Sequence, residues 1–359
     1  MDCLMRPITV LLTGCGAPGA PGIIKCLRKN GEREIRIVGV DMNENAGARG
    51  MVDAFHTVPA AKADNFIECI LEICMKEKVD LVEPIVTREL MKFALSRERF
   101  EEKGIKLAVM SPETLEIVNN KANLLTAVKE AGLPCPEFRV VHSVGELETA
   151  CAELGYPEKA VCVKGAEGNG SRGVRIVDPN KSRFDLFFNS KPNSMYISYD
   201  ELIRTLSEKP EIPEMLVMEY LPGTEYSVDF LAEEGKSIYA VARRGLSVLT
   251  SNMMSLVIDD NRSVIETCSA VVEKLHMDGN FGFDLLYTAN DEKPYVIEVN
   301  PRLTAGVVSC AAAGVNLPYL GIKRLLGENL PNLCPAYGTR MSRHYEESFF
   351  DVKGREIEW

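Results

Sequence analysis

The residues with the clearest chemical pattern are two acids and an amide in one expected hairpin. Two apolar strands flank the polar turn "ANDEKP". If the hairpin is symmetric about Asp291, Asp284 lies opposite Glu298, and strand alternation places Asn300 on the same face as Glu298. Carboxylate and amide oxygens of this kind suit Mg²⁺. The alternative is a solvated polar face, and a register shift of one residue would also separate the acids.

Three basic residues have positions that suit phosphate chemistry. Arg302 follows Asn300 by two residues and could stabilise a transferring phosphoryl group. Lys164 ends the strand "AVCV" directly before the loop "GAEGNGSRGV", whose backbone amides could cover phosphates. This loop lacks G-K-[ST] and does not open a helix, so it is not a Walker A motif. Lys121, in "NNKAN", could supply a second cation. Taken singly, Lys121 and Arg302 are typical of surface residues. The glycine-rich loop taken singly is typical of a flexible hairpin tip.

The segment "VMEYLPGTEYSVD" predicts a strand that ends at a Pro-Gly turn. A strand edge that stops there leaves backbone groups around Glu219 and Leu221 for pairing with an adenine edge. Glu225, after the turn, could accept hydrogen bonds from ribose hydroxyls. Taken alone, this turn is weak evidence.

The opening segment "LLTGCGAPGAPG" contains G-x-G-x-x-G at Gly14, Gly16 and Gly19, after the apolar run "ITVLL". A second apolar run, "IRIVGVD", ends in an acid, as in dinucleotide-binding turns. Pro18 and Pro21 limit the N–H groups that this turn can offer. We therefore interpret it as the first βα turn of a Rossmann-like domain, and we hypothesise that its free amides, at Gly16 in particular, receive an anionic group of an acid substrate.

The elements that must position these residues change type along the chain. Residues 8–110 alternate strands with helices, which predicts a parallel sheet. A new helix starts at "SPETLEIV", where we place a domain boundary. Strands joined by turns at 161–177, 215–245 and 281–302 predict antiparallel sheets, and the polar segment 178–213 reads as an insertion. The fold class is therefore α/β followed by α+β.

Composition limits the classes of function. The net charge of −11 argues against general nucleic-acid binding. No apolar run reaches the roughly 18 residues of a membrane span, and the N-terminus does not resemble a cleaved signal peptide. The 11 cysteines form no C-x-x-C pair and predict reduced, mostly buried thiols in a cytoplasmic protein. The four histidines form no metal pair, so any metal would be held by oxygen.

Taken in order, these motifs resemble the ATP-grasp family over about residues 113–330. The segments "VIEVNPR" and "AGVNLP" are most similar to its carbamoyl-phosphate-synthase-like branch, and "MSRHYEESF" is similar to the closing strand of that branch. The resemblance implies a Rossmann-like pre-ATP-grasp domain over 1–112 and an ATP-grasp domain of two α+β subdomains over 113–330. Its lid subdomain would span about 125–215, and residues 331–359 would pack back on the core.

The resemblance also implies roles for individual residues. Those implied to bind ATP are Lys121, Lys164, Glu167, Gly168, Gly170, Ser171, Gly173, Glu219, Tyr220, Leu221 and Glu225. Those implied to hold one or two Mg²⁺ ions, with Mn²⁺ as an alternative, are Asp284, Glu298 and Asn300. Arg302 and Lys164 would be catalytic. Substrate candidates, for which ordinary surface or structural roles are the alternative, are Gly16, Arg88, Glu89, Arg243, Arg244, Thr304 and Gly306. Gly165 departs from the family, in which many relatives have proline.

The implied activity is carboxylate–amine ligation in the cytoplasm. ATP would phosphorylate a small carboxylic acid, such as an amino acid, and an amine would attack the acyl phosphate. Carbamoyl-phosphate synthesis is the alternative within the fold; a nicotinamide-dependent oxidoreductase and a non-catalytic nucleotide-binding subunit are alternatives of other classes. The expected partners are small-molecule carboxylate and amine substrates, without nucleic acid or membrane, and the protein could form a homodimer.

Overall fold

A computed structural model describes residues 5–168, 173–189, 194–249, 252–288, 290–344, 346–347, 349–351 and 357. In these residues the strands are β1 (Ile8–Leu12), β2 (Ile35–Asp41), β3 (Ala54–Thr57), β4 (Leu81–Glu83), β5 (Lys106–Leu107), β6 (Phe138–Val141), β7 (Val161–Gly165), β8 (Arg175–Val177), β9 (Met215–Glu219), β10 (Thr224–Glu233), β11 (Lys236–Leu249), β12 (Asn252–Asp259), β13 (Gly279–Thr288), β14 (Lys293–Asn300) and β15 (Arg340–Ser342). The helices are α1 (Ala20–Arg28), α2 (Phe66–Glu77), α3 (Thr87–Leu95), α4 (Arg97–Glu101), α5 (Pro112–Val118), α6 (Lys121–Glu130), α7 (Val144–Glu153), α8 (Arg183–Asn189), α9 (Tyr199–Leu206), α10 (Arg262–Lys274), α11 (Val308–Ala312) and α12 (Leu317–Leu325).

The first sheet is parallel, in the order β3-β2-β1-β4-β5. The central strands β1 and β2 are almost wholly buried, as expected for strands covered by helices on both faces. This confirms the predicted α/β class of the N-terminal part. The helical segment after β4 is divided at Ser96 into α3 and α4, and the short strand β3 is only partly apolar.

The other two sheets confirm the α+β class of the remaining chain. One has the order β14-β13-β10-β11-β12-β15, and the other has the order β6-β9-β7-β8. The strand Met215–Glu219 pairs antiparallel with β6 and β7, and not with β10 as the predicted run over 215–245 implied. The short strand β15 pairs with β12, so "MSRHYEESF" begins in a strand.

The chain forms two compact units. The larger unit comprises Met1–Glu116, Tyr226–Phe283 and Val299–Trp359, and the smaller unit comprises Ile117–Glu225 and Asp284–Glu298. The first division lies close to the predicted boundary at 112, whereas the predicted domains themselves stay a prediction.

One apolar core joins the three chain segments of the larger unit. It combines side chains of the parallel sheet and α1 with side chains of β11, β12, α11 and α12; examples are Val10, Leu12, Ile23, Ile37, Leu81, Val241, Leu256, Val307, Leu320 and Ile322. Because these side chains fill a single core, residues 1–116 do not have a separate apolar centre of their own on this face of the sheet.

The smaller unit builds its core on the sheet of β6, β7 and β9. Leu147 and Val163 are fully buried there, and Leu202 of α9 packs against the same cluster. The Ser198 side chain caps α9 by accepting a hydrogen bond from the Glu201 amide at 3.3 Å. The described part of the segment interpreted as a polar insertion therefore contains α8 and α9, and α9 contributes to the core.

Most described cysteines are buried. Burial raises the pKa of the Cys26 and Cys74 thiols to about 12, whereas Cys334 is exposed. All ten cysteines of the described residues are free thiols. In the same part of the chain, every helix is too short or too polar to cross a membrane.

Candidate active site

Lys164 lies at the end of β7 in the smaller unit, where its side chain is almost completely buried. Its ammonium group donates a hydrogen bond to the Ile297 carbonyl of β14 at 3.0 Å. Burial lowers the pKa of Lys164 to about 8, and the negative charges of Glu298 and Asp284 oppose this shift. A buried lysine of this kind is available to an anionic ligand that enters the site.

Lys121 is the first residue of α6, which Asn120 caps by accepting hydrogen bonds from two backbone amides of the first turn. The Lys121 ammonium donates to the Gly168 carbonyl at 2.8 Å and lies 3.4 Å from Glu298 Oε1. The side chain is 7% exposed. The predicted pair of lysines is therefore buried around one carboxylate of the smaller unit.

Three acids accompany these lysines. Glu298 interacts with both lysines, and Asp284 contributes to the electrostatic environment of Lys164. Burial raises the pKa of Glu225, and the neighbouring charge of Asp284 raises it further. The acids predicted to bind metal and ribose are thus close to one another, although the predicted pairing of Asp284 with Glu298 stays a prediction.

These acids suit a divalent cation by the chemistry of their donors. In the described residues, no group of three or more His, Cys, Asp or Glu side chains is arranged to hold a metal. The predicted set has two carboxylates, and its third member, Asn300, supplies an amide oxygen instead. Asn300 follows Glu298 by two residues in β14, so strand alternation places both on one face. Hard oxygen donors of this type fit Mg²⁺.

The turn predicted to hold adenine follows β9. The Glu219 amide donates to the Glu137 carbonyl at 2.9 Å, and its carboxylate accepts from the Glu137 amide at 2.9 Å. Tyr220 donates its amide to Ala160, whereas no described residue accepts a hydrogen bond from the Leu221 amide. Leu221 therefore retains the backbone donor that the adenine prediction requires.

The glycine loop is described only at its two ends. Glu167 and Gly168 are exposed, and Gly168 and Gly173 have positive φ angles of 138° and 75°. Gly170 and Ser171, also predicted to contact ATP, lie outside the described residues. Gly165, where relatives have proline, belongs to β7 and precedes this loop.

Hydrogen bonds to the described residues hold the Arg302 side chain in the larger unit. Its guanidinium donates to the Thr87 hydroxyl at 3.2 Å, to the Leu303 carbonyl at 2.9 Å and to Asn300 Oδ1 at 3.3 Å. The amide oxygen that was predicted to bind metal is therefore a hydrogen-bond acceptor for Arg302. This contact fixes the arginine beside the end of β14.

Arg243 lies in a buried ion pair of the larger unit. Its Nε donates to Asp229 Oδ2 at 2.6 Å, and its Nη2 donates to the Thr304 hydroxyl at 3.0 Å, which in turn donates to Asp229 Oδ1 at 2.6 Å. A Cβ atom at Gly306 would lie 2.0 Å from Arg243 Nη1, so a larger residue would displace the guanidinium from this pair. Arg243, Thr304 and Gly306 thus support the loop after Arg302, and their predicted substrate role stays a prediction.

Arg244 and Arg88 have different surroundings. Arg244 projects from the opposite face of β11 to Arg243 and donates to Asp259 Oδ2 at 2.8 Å. Arg88 is exposed at the second position of α3. The structure therefore does not bring these two arginines together with Arg243.

The Gly16 amide is not free. It donates to Asp41 Oδ2 at 2.7 Å, and the neighbouring amides of Cys15 and Ala17 donate to backbone carbonyls. The prediction that this amide could receive an anion is therefore wrong, because a carboxylate of the protein already accepts its hydrogen. The same hydrogen bond engages Asp41, the acid whose carboxylate would bind the ribose hydroxyls of a nicotinamide dinucleotide.

Sequence reasoning missed several contributors to these sites. The Ile297 and Gly168 carbonyls hold the two lysines through backbone atoms, which residue type does not reveal. Asp229 had a detectable signal, since it is a single acid within the apolar run "SVDFLA" of β10. Thr13, whose hydroxyl accepts from the Ile85 amide at 3.2 Å, had none.

Comparisons with known proteins find two matching families and several relatives. The family "ATP-grasp in the biosynthetic pathway with Ter operon" matches residues 211–345, and "PylC-like, N-terminal domain" matches residues 10–108. The carbamoyl phosphate synthase large chain of Thermotoga petrophila is 26% identical over 282 residues, which are 76% of this chain and 24% of that protein. The formate-dependent phosphoribosylglycinamide formyltransferase of Wolinella succinogenes is 25% identical over 197 residues, which are 55% of this chain and 48% of that protein.

Solved structures share the fold. The ADP complex of N5-carboxyaminoimidazole ribonucleotide synthetase has a TM-score of 0.67 at 18% identity, and the alignment covers 92% of this chain and 80% of that one. The L-amino acid ligase from Bacillus licheniformis has a TM-score of 0.63 at 17% identity, and the alignment covers 90% of this chain and 75% of that one. The class is therefore that of ATP-grasp folds preceded by a Rossmann-like domain. Residues 211–345 therefore match an ATP-grasp domain and residues 10–108 a PylC-like N-terminal domain, and the chain spans about a quarter of the length of the carbamoyl phosphate synthase it matches.

Proposed function

We propose that the protein is an ATP-dependent carboxylate–amine ligase. The observation that carries this proposal is the pair of buried lysines, Lys121 and Lys164, gathered around Glu298 in the smaller unit. Two desolvated cations beside an acid suit the polyphosphate of Mg·ATP, because cations without water neutralise phosphate charge strongly. Phosphoryl transfer needs positioning and charge rather than a protein nucleophile.

The proposed reaction has two steps. A carboxylate oxygen of the substrate attacks the γ-phosphorus of ATP, the bond to the β-phosphate oxygen breaks, and ADP leaves. The amine then attacks the carbonyl carbon of the acyl phosphate, inorganic phosphate leaves, and the nitrogen loses a proton. Lys121 and Lys164 would bind the phosphates, the Leu221 amide and Glu219 carbonyl would bind adenine, and Glu225 would bind ribose.

Mg²⁺ would be held by Asp284, Glu298 and Asn300 and would neutralise charge on the phosphates. Glu167, Gly168, Gly170, Ser171 and Gly173 would cover the phosphates, and Arg302 would stabilise the phosphoryl group. Manganese could replace magnesium, since it accepts the same oxygen donors.

A second candidate is carbamoyl-phosphate-type chemistry on bicarbonate or carbamate. The identity of 26% with a carbamoyl phosphate synthase large chain favours it. The two buried lysines suit the phosphates of ATP in both reactions, so the substrates distinguish the two candidates.

The test is release of ADP from Mg·ATP in the presence of pairs of amino acids, with bicarbonate and ammonia as a separate arm. We expect ADP release above background with at least one acid–amine pair. Lys164→Met and Glu298→Gln should reduce that release at least a hundredfold. Lys129→Met is the matched control, because Lys129 lies in the same helix as Lys121 but pairs with Glu137 on the surface.

The outcomes separate the candidates. Release of ADP only with bicarbonate and ammonia would support the second candidate instead of the ligase. Binding of ATP without ADP release in any arm would overturn both and would favour a nucleotide-binding subunit.

A further inference from the structure

A buried acid outside the proposed ATP site has an unfilled hydrogen-bonding position. Glu89, in the first turn of α3 of the larger unit, is only 9% exposed, and its Oε2 has no hydrogen-bond partner in the described residues. A buried carboxylate oxygen without a donor is costly. Glu83 Oε2 also lacks a partner in the described residues, but Glu89 differs from Glu83 because a hydroxyl and a second acid accompany it.

The groups around Glu89 come from three neighbouring elements. Thr13, at the end of β1, forms a side-chain hydrogen bond with Glu89. Asp41, at the end of β2, and Cys15, in the glycine loop, interact with Glu89 electrostatically. The site therefore lies at the carboxyl end of the parallel sheet, where open α/β folds bind ligands.

The charge of this site is negative. Burial raises the pKa of Glu89 to about 7; the Thr13 hydrogen bond opposes this, and the charge of Asp41 adds to it. Burial also raises the pKa of the Cys15 thiol to about 12, with Asp41 and Glu89 contributing, so the thiol stays neutral. Asp41 is the charged group that raises the pKa of Glu89, and the Arg302 guanidinium donates at 3.2 Å to the hydroxyl of Thr87, in the same helical turn as Glu89.

The charges beside Glu89 favour a cation over an anion. The Gly16 amide donates to Asp41, and the Cys15 and Ala17 amides donate to backbone carbonyls, so these three donors are engaged within the protein. An anion beside Glu89 would meet two carboxylates. A primary ammonium group, by contrast, brings three donors and a positive charge.

We propose that Glu89 and Asp41 bind the protonated amino group of a small-molecule substrate. Glu89 Oε2 accepts one of its hydrogens, and Asp41 supplies the second negative charge while keeping its bonds to the Gly16 and Asn43 amides. This inference rests on the proposed ligase function, because it assigns a recognition group to one of the two substrates. The bound ammonium keeps its proton and anchors the molecule.

The test measures amine binding by calorimetry in the absence of nucleotide. The full chain is titrated with methylamine, 1,4-diaminobutane, L-ornithine and L-lysine, and with glutarate as an anionic comparison. We expect at least one amine to bind at pH 8 and glutarate not to bind. Glu89→Gln and Asp41→Asn should each weaken amine binding at least tenfold.

Glu83→Gln is the matched control. Glu83 is a buried acid of the same sheet with an unpartnered Oε2, and burial raises its pKa to about 8. Glu83 and Leu81 lie two residues apart in β4 and therefore project from the same face, which is the face that packs on the apolar core of the larger unit. Amine affinity in this variant should match that of the unaltered protein.

Amine affinity measured at several pH values distinguishes direct binding by Glu89 from a purely structural role of that residue. Amine affinity should rise from pH 6 to pH 8 as Glu89 ionises, and this rise should disappear in Glu89→Gln. If that variant does not fold, Glu89→Asp, which keeps the charge but shortens its reach, should weaken binding instead.

Two results would overturn the proposal. One is that no amine binds although Mg·ADP does, and the other is that glutarate binds more tightly than every amine. Failure of ATP binding or of ADP release would instead overturn the ligase function. The two failures are distinguishable because the amine titration contains no nucleotide.

Discussion

Lys164 is the residue whose surroundings most constrain its chemistry. The ammonium group is buried beside the Ile297 carbonyl, and the nearby acids only partly offset the loss of hydration. Because its pKa is about 8, the ammonium group loses its proton within the pH range in which enzymes are commonly assayed. A phosphate ligand would favour the charged form, so nucleotide binding and protonation of Lys164 should be linked.

This linkage predicts a pH-dependent affinity for Mg·ADP. Lys164 is protonated below about pH 8 and loses its charge as the pH rises through that value. The dissociation constant should therefore rise about tenfold between pH 7 and pH 9.5, since a one-unit pKa change corresponds to about 1.4 kcal/mol. Calorimetric titration at several pH values measures it.

Lys164→Met serves as the comparison in that experiment. Its affinity should be low and nearly independent of pH across the same range. A flat profile for the unaltered protein would show that Lys164 does not contact the nucleotide.

The residue scale also shows what sequence reasoning can reach. Lys121, Lys164 and Glu298 were selected from type and order, and the structure places them together. The hydrogen bond from the Gly16 amide to Asp41 could not be predicted from the sequence, because it depends on where two successive strands end in the sheet. Backbone partners of this kind leave no mark in residue type.

At the scale of elements, β11 carries two adjacent arginines in different environments. Arg243 pairs with Asp229, whose side chains are 4% and 2% exposed, whereas Arg244 pairs with Asp259 and is 40% exposed. Alternation along the strand produces the difference. The two pairs therefore allow a buried and a partly exposed ion pair to be compared on one strand.

We expect Asp229→Ala to lower the free energy of unfolding by about 3–5 kcal/mol. The substitution leaves the Arg243 guanidinium buried without its carboxylate and removes the acceptor of the Thr304 hydroxyl. Asp259→Ala is the comparison and should cost less, about 1–2 kcal/mol, because Arg244 is 40% exposed, although the Tyr226 hydroxyl also loses its acceptor. Urea denaturation of both variants measures this; equal losses would contradict the assignment.

The helix α9 shows why the polar segment 178–213 was misread. Its buried face consists of few residues, chiefly Leu202 with partial contributions from Tyr199, Ile203 and Leu206. Acidic and basic side chains fill the remaining positions, so average polarity hides the apolar stripe. A helix of eight residues also offers too few turns for a clear period.

At the scale of the whole molecule, the larger unit is assembled from three distant parts of the chain. Arg33 donates to the Tyr319 hydroxyl at 3.0 Å and pairs with Glu328 at 2.5 Å, and Lys323 pairs with Glu32 at 2.6 Å. These contacts join residues near the N-terminus to the region after β14. The sequence predicted the parallel sheet correctly, but pattern alone could not show that the sheet shares its core with later segments.

The shared core predicts that residues 1–116 will not fold cooperatively when produced alone. The fragment would expose Val10, Leu12 and Ile37, which pack in the intact protein with side chains of β11, β12 and α12. Thermal unfolding followed by circular dichroism should give a broad transition for the fragment and a sharp one for the full chain. A sharp transition in the fragment would show that the sheet is independently stable.

The distribution of cysteines gives the chain a practical property. Thiols react with alkylating reagents as thiolates, and those of Cys15, Cys26 and Cys74 are buried and hold their protons far above neutral pH. Within the described residues, Cys334 is the exposed thiol. A maleimide dye added at neutral pH should therefore label Cys334 far faster than these buried thiols, which gives a fluorescent derivative without removing any cysteine from the core.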